Sequence, residues 1–208
     1  MYALLYNFLG LAAAIQGFRI LDSLIKMNKP YYAVHVIHNL AIVALTAPDV
    51  IDAFNFVESD INWIAIILCY ALHIYHIIDY HTVFRFDDWI HHGLMLGLVL
   101  PAGCISVPNV GALIGANLFF TTGLPGAISY GLLFAERNTL ITRPRTQAIN
   151  KVVHLWIRAP GCVAQATLAV VYMLNMDSPI FFYVIPALTA WNGLYFMEQA
   201  IRSEGQVQ

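Results

Sequence analysis

Long apolar runs separated by short polar turns dominate the chain. They cover residues 2–25, 31–50, 61–80, 89–107, 110–135, 150–174 and 180–201. A helix needs about 20 mostly apolar residues to cross a bilayer. Within each run apolar residues do not alternate with polar ones, and the runs are too long for strands, so the pattern predicts helices. The expected fold is all-α: a polytopic membrane helical bundle of seven transmembrane helices forming one domain over residues 1–208. The one sizeable hydrophilic loop expected is 136–150. The apolar N-terminal stretch lacks a basic leading region, so it reads as a retained first span and not as a cleaved signal peptide.

Charge then sets the orientation. The Lys and Arg residues, ten in all, fall at alternate turns or in the helix halves next to them: Arg19, Lys26, Lys29, Arg85, Arg137, Arg143, Arg145, Lys151, Arg158 and Arg202. The opposite turns carry Asp49, Asp52, Glu58, Asp60 and Asp177 and no Lys or Arg. The positive-inside rule places the N-terminus outside and the C-terminus in the cytoplasm. Composition agrees, with 60% hydrophobic and 11% charged residues against about 25% charge in a soluble domain. A net charge of −2 and the lack of any basic run give no case for nucleic acid. Cys69, Cys104 and Cys162 lie inside apolar stretches and read as small core residues, not as a disulfide framework.

Pro101, Pro125, Pro160 and Pro186 fall inside the last four runs, where each removes a backbone hydrogen bond and bends a helix. Gly93-x-x-x-Gly97 and Gly111-x-x-x-Gly115 would let helices approach closely. At about 100° per residue, polar groups gather into stripes. Tyr31, His35 and His38 share one, as do Cys69, His73, His76 and Tyr80, and Asp88, His91, His92 and Met95. So do His154, Arg158, Gly161 and Gln165, and finally Asn192, Tyr195, Gln199 and Arg202. Lipid offers no hydrogen bonds, so these stripes should face the bundle interior. All eight histidines lie toward the basic side. Ionisable groups at that depth usually mark function, although a histidine near a helix end also often just bonds a carbonyl.

From Tyr75 onward the chain resembles the TLC-domain family of ceramide-synthase-like membrane lipid proteins. The resemblance rests on Tyr75-His76-Ile77-Ile78-Asp79 closing one span, Asp88-Trp89-Ile90-His91-His92 opening the next, and Trp191-Asn192-Gly193-Leu194-Tyr195-Phe196 in the last. The similar region runs over about residues 30–203. It implies a bundle enclosing a lipid-chain tunnel, residence in the endoplasmic reticulum or another endomembrane, and a role in sphingolipid-like metabolism. Ceramide synthases associate the paired histidines with acyl transfer from acyl-CoA to a sphingoid amine, which puts that role on His91 and His92, with Asp79 and Asp88 at the acidic positions. The chain departs from ceramide synthases proper at Gly123-Leu124-Pro125-Gly126-Ala127-Ile128-Ser129-Tyr130, where their signature has His and Asp.

The residues support that chemistry independently. A neutral His91 or His92 ring can take a proton from an amine or hydroxyl attacking a thioester, and Asp88, one turn before His92, can orient a ring. His73, His76, Tyr80, Asn192, Tyr195 and Arg158 are the candidate substrate-binding residues. No tightly bound cofactor is expected, and acyl-CoA is the candidate co-substrate. Membrane lipids are the expected partners, with a homo-oligomer or larger membrane complex also compatible. Two alternatives stay open: a non-enzymatic lipid-binding, sensing or accessory subunit, and a metal-dependent lipid enzyme ligated by His35, His38, His73, His76, His91 and His92.

Overall fold

The computed structural model describes residues 2–105, 110–176 and 180–204. Val107, Asp177 and the side chain of Cys104 lie outside the described residues. Among the described residues, seven helical rods follow in order: α1 (Tyr2–Leu24), α2 (Pro30–Phe54), α3 (Trp63–Tyr80), α4 with α5 (Phe86–Leu94 and Leu100–Ile105), α6 with α7 (Gly111–Leu118 and Leu124–Arg137), α8 with α9 (Arg143–Val153 and Ala159–Asn175), and α10 (Val184–Glu204). The segments Pro30–Phe54, Trp63–Val83, Gly111–Arg137 and Arg143–Asn175 are long and apolar enough to cross a membrane. The chain is therefore an all-α, multi-span membrane-helix bundle.

Each two-part rod is joined through one wide turn of π type: Met95–Val99, Phe119–Gly123 and His154–Arg158. Proline explains all three. Pro101, Pro125 and Pro160 lack an N–H and crowd the carbonyl one turn earlier. The backbone widens to relieve this. The residue before each proline donates five residues back, Leu100 to Met95, Leu124 to Phe119 and Ala159 to His154. Pro186 behaves differently from expectation. It is the third residue of α10, where a helix N–H has no intrahelical partner to lose.

Polar contacts between turns sort the rods by end. Asn28 donates its backbone N–H to Asn138 Oδ1 at 2.9 Å, and Asn138 Nδ2 donates back to the Asn28 carbonyl at 3.1 Å. Those bonds tie the α1–α2 turn to the α7–α8 turn. At the other end Gly111 N–H donates to the Ser59 carbonyl at 2.9 Å, and Tyr172 reaches Glu58 at 3.5 Å. A Cβ on Gly111 would run into the Asp60 backbone, and one on Gly115 into Asp49. That glycine pair is thus a true close approach, whereas nothing described lies within 4 Å of a Cβ on Gly93 or Gly97.

Helix α2 is the hub, packing on α3, α6 and α7. Its buried stripe is His35, His38, Asn39, Ile42 and Thr46, spaced three and four apart as one helix face requires. Two expectations need correcting. The stretch 136–150 is not one loop: α8 starts at Arg143 with Pro144 in its first turn and buries Thr146 and Val153. Its polarity belongs to an amphipathic helix end. On α10 the inward face is Pro186, Thr189, Gly193 and Ala200, with Asn192 half-buried beside it, not Tyr195, Gln199 and Arg202, which are exposed. Small residues decide this. A Cβ on Gly193 would sit 2.7 Å from Cys162 Cβ and 3.1 Å from Ala159 Cα, so the close approach of α10 to α9 at this point requires that glycine.

Candidate imidazole cluster

Five histidines meet where α2, α3 and α4 converge. Ring centroids lie 5.2 Å apart for His35–His76, His73–His92 and His76–His92, and 5.3 Å for His73–His91. His76 Nδ1 and His92 Nε2 share a hydrogen bond of 3.1 Å. Two rings have fixed tautomers. His73 Nδ1–H donates to the Cys69 carbonyl and His35 Nδ1–H to the Tyr31 carbonyl, each at 2.7 Å. A carbonyl only accepts, so a neutral ring held this way carries its proton on Nδ1 and leaves the Nε2 lone pair basic. Helical spacing produces both bonds, since each carbonyl is four residues back.

Aromatic walls orient the rest. Phe84 stacks on His92 at 4.7 Å and 4°, and Tyr130 on His35 at 4.2 Å and 29°. His92 is buried, and its Nδ1 has no partner. His91, about 100° round the helix, is exposed and stands against His73. The pair is thus divided into one reachable ring and one embedded ring.

The acidic residues take their hydrogen bonds elsewhere, although Asp88 is close enough to His76, His91 and His92 to interact electrostatically. Asp88 accepts the Arg85 backbone N–H at 2.9 Å and faces its guanidinium at 3.8 Å. It caps α4 and hydrogen-bonds no imidazole. Asp79 pairs with Arg19 at 2.9 Å. Tyr80 donates to Asp22 at 2.9 Å. Arg19, Asp22, Asp79 and Tyr80 border an open polar hollow between α1 and α3, so the sequence-based pairing of Asp79 with the histidine pair is not seen. His38 also stands apart, bonding Asn39 Oδ1 at 2.9 Å and meeting the edge of Phe18. His81 is exposed and bonds the Ile77 carbonyl. Tyr195 is 40% exposed and stacks on Trp191, away from the interior. Among the described residues, no three His, Cys, Asp or Glu side chains are placed to hold one metal ion. His35, His38, His73, His76, His91 and His92 therefore do not form a ready metal centre.

Arg158 and His154 form a second buried group. Both are over nine-tenths buried. Phe196 lies between them, 4.1 Å from the guanidinium carbon and 5.5 Å from the imidazole centroid. No Asp or Glu among the described residues forms an ion pair with Arg158. A cation–π contact is worth about 0.5–2 kcal/mol, while a desolvated unpaired charge costs several kcal/mol. The phenyl ring alone does not offset the burial.

A small, largely apolar cavity of about 90 Å³ opens toward the acidic end, between α3, α5, α6, α9 and α10. None of the histidines lines it. Its polar wall residues are Asn117 and Gln165, joined to Thr189 and the Leu113 carbonyl by hydrogen bonds. The wall is complementary to an alkyl chain. Sequence reading did not single out Asn39, Tyr130, Asn117 or Thr189. Lone Asn, Tyr and Thr in apolar runs carry no spacing signal until a partner helix is known. Comparison of the chain with protein-family models, with characterised proteins and with solved structures finds no match to any of them.

Proposed function

We propose that this chain is a seven-span lipid-handling enzyme of endomembranes, such as the endoplasmic reticulum, that transfers an acyl group from acyl-CoA to a lipid amine or hydroxyl at the imidazole cluster. The supporting observation is the meeting of His73, His76, His91 and His92 on two facing helices, with the His73 proton held on Nδ1. The TLC-like motif order adds to it. His91 is the ring open to a substrate. It takes the proton as the amine or hydroxyl attacks the thioester carbonyl; the new C–N or C–O bond forms, the C–S bond breaks, and CoA leaves as the thiol. The hydrogen-bonded His76–His92 pair holds the α4 ring positions against α3. Arg143, Arg145 and Lys151 line the end where CoA phosphates would arrive. The apolar cavity is the natural place for an alkyl chain.

Protein in nanodiscs, given labelled acyl-CoA and lipid amine or alcohol acceptors, should form acylated lipid. A second reading, non-catalytic lipid binding, is favoured by the separation of the cavity from the imidazoles. It predicts lipid retention without turnover of any acyl-CoA. Stoichiometric iron or zinc in purified protein would favour metal chemistry instead. Orientation has its own test. Phe56 is exposed in the α2–α3 turn. Phe56→Cys should react with an impermeant thiol reagent only from the non-cytoplasmic side, and cytoplasmic labelling would reverse the assigned topology.

A further inference from the structure

The second buried group is independent of the imidazole chemistry. Arg158 closes the wide turn His154–Arg158 and is 6% exposed. From α10 comes the face of Phe196. Close enough to interact electrostatically are Tyr130 on α7, Cys162 on its own rod and His91 on α4. None of these is a carboxylate. Two polar atoms on the wide turn have no hydrogen-bond partner, Arg158 Nε and His154 Nδ1. Both belong to side chains more than nine-tenths buried. A buried cation and idle donor atoms around one ring call for an anionic partner to complete them.

We infer that the Arg158–His154 pair is a binding site for an oxyanion carried on an acyl chain. The anion offers two or more acceptor oxygens to the guanidinium fork and to His154 when its Nδ1 bears a proton. The ligand must bring an apolar body, because the site is walled by the bundle and not by water. A fatty carboxylate and a lipid phosphate share this chemistry. The inference does not depend on acyl transfer, and its test uses neither acyl-CoA nor an acceptor, so either can fail alone.

The test is thermal unfolding of the purified full chain in phosphatidylcholine nanodiscs, with palmitate, phosphatidic acid or hexadecanol added. At a 100-fold excess over Kd, the matching anion should raise Tm by about 5 °C or more, and uncharged hexadecanol should not. A response to palmitate alone identifies a carboxylate site, and to phosphatidic acid alone a phosphate site. Arg158→Met should abolish the shift while leaving the ligand-free Tm unchanged or higher, because it removes a charge that has no partner. Arg158→Lys should fold and keep a reduced shift. Equal stabilisation by hexadecanol, no response to either anion, or an undiminished shift in Arg158→Met would overturn the site. So would a ligand-free Arg158→Met that unfolds far below the parent, since that would mean the guanidinium is already satisfied within the fold.

Discussion

Replacing His91 by alanine is expected to lower the proposed acyl transfer by about 10²–10⁴-fold, the usual cost of losing a general base, with thermal stability close to that of the parent. The ring is exposed and makes no hydrogen bond in the described structure, so little packing is lost. His92→Ala should reduce transfer too, but for a different reason. It removes a buried ring stacked on Phe84 and bonded to His76, leaving His76 Nδ1 without its partner. A buried polar group stranded in this way costs about 1–3 kcal/mol. The pair should therefore separate in a two-axis measurement. His91→Ala loses rate at unchanged Tm; His92→Ala loses both, and His76→Ala resembles it. Equal stability loss in all three with full residual activity would show that the cluster is only structural.

Gly193→Leu is expected to have the largest effect on stability. The Cβ position already stands 2.7 Å from Cys162 Cβ and 3.1 Å from Ala159 Cα. One of those neighbours is backbone and cannot swing aside. Overpacking costs about 1–3 kcal/mol in a core that can adjust. A whole isobutyl group wedged between two helices belongs at or above the top of that range, a fall in Tm of about 6–12 °C for a chain of this length. Trp191 and Trp156 report on the same pair of rods, so tryptophan fluorescence can follow the melt. Gly97→Ala is the control. Nothing described is within 4 Å of its Cβ, and the gain in helix propensity should leave Tm unchanged or slightly raised.

These two glycines also mark how far a sequence can be read. Length and hydropathy locate helical stretches because bilayer thickness constrains each one separately. The rods begin and end close to the expected edges, with the exception of α8, where an amphipathic helix end looks like loop. Stripe reading succeeds where one helix supplies the whole pattern: His154, Arg158, Gly161 and Gln165 are all buried together. It fails where helix rotation is set by a neighbour. Tyr195 turns outward because Gly193 and Ala200 take the close approach to the bundle. Asp79 takes its acidic role only from the family resemblance, and in the fold Arg19, sixty positions away, claims it. Tyr130 joins His35 through a contact that no local periodicity encodes.

The wide turns have a consequence for lineage. A π turn is an α-helix carrying one extra residue, so Met95–Val99 keeps the two halves of its rod out of ordinary phase by about 100°. His91 and His92 precede that turn, and Leu100, packed in the core, follows it. A relative that lacked Pro101 would have no need of the extra residue, and its alignment with this chain should carry a one-position gap between residues 95 and 99. The same holds before Pro125 and Pro160. Unless that gap is placed, every position on one side of it would be compared with a residue from the wrong face of the helix, and the imidazole pair would be matched to lipid-facing positions.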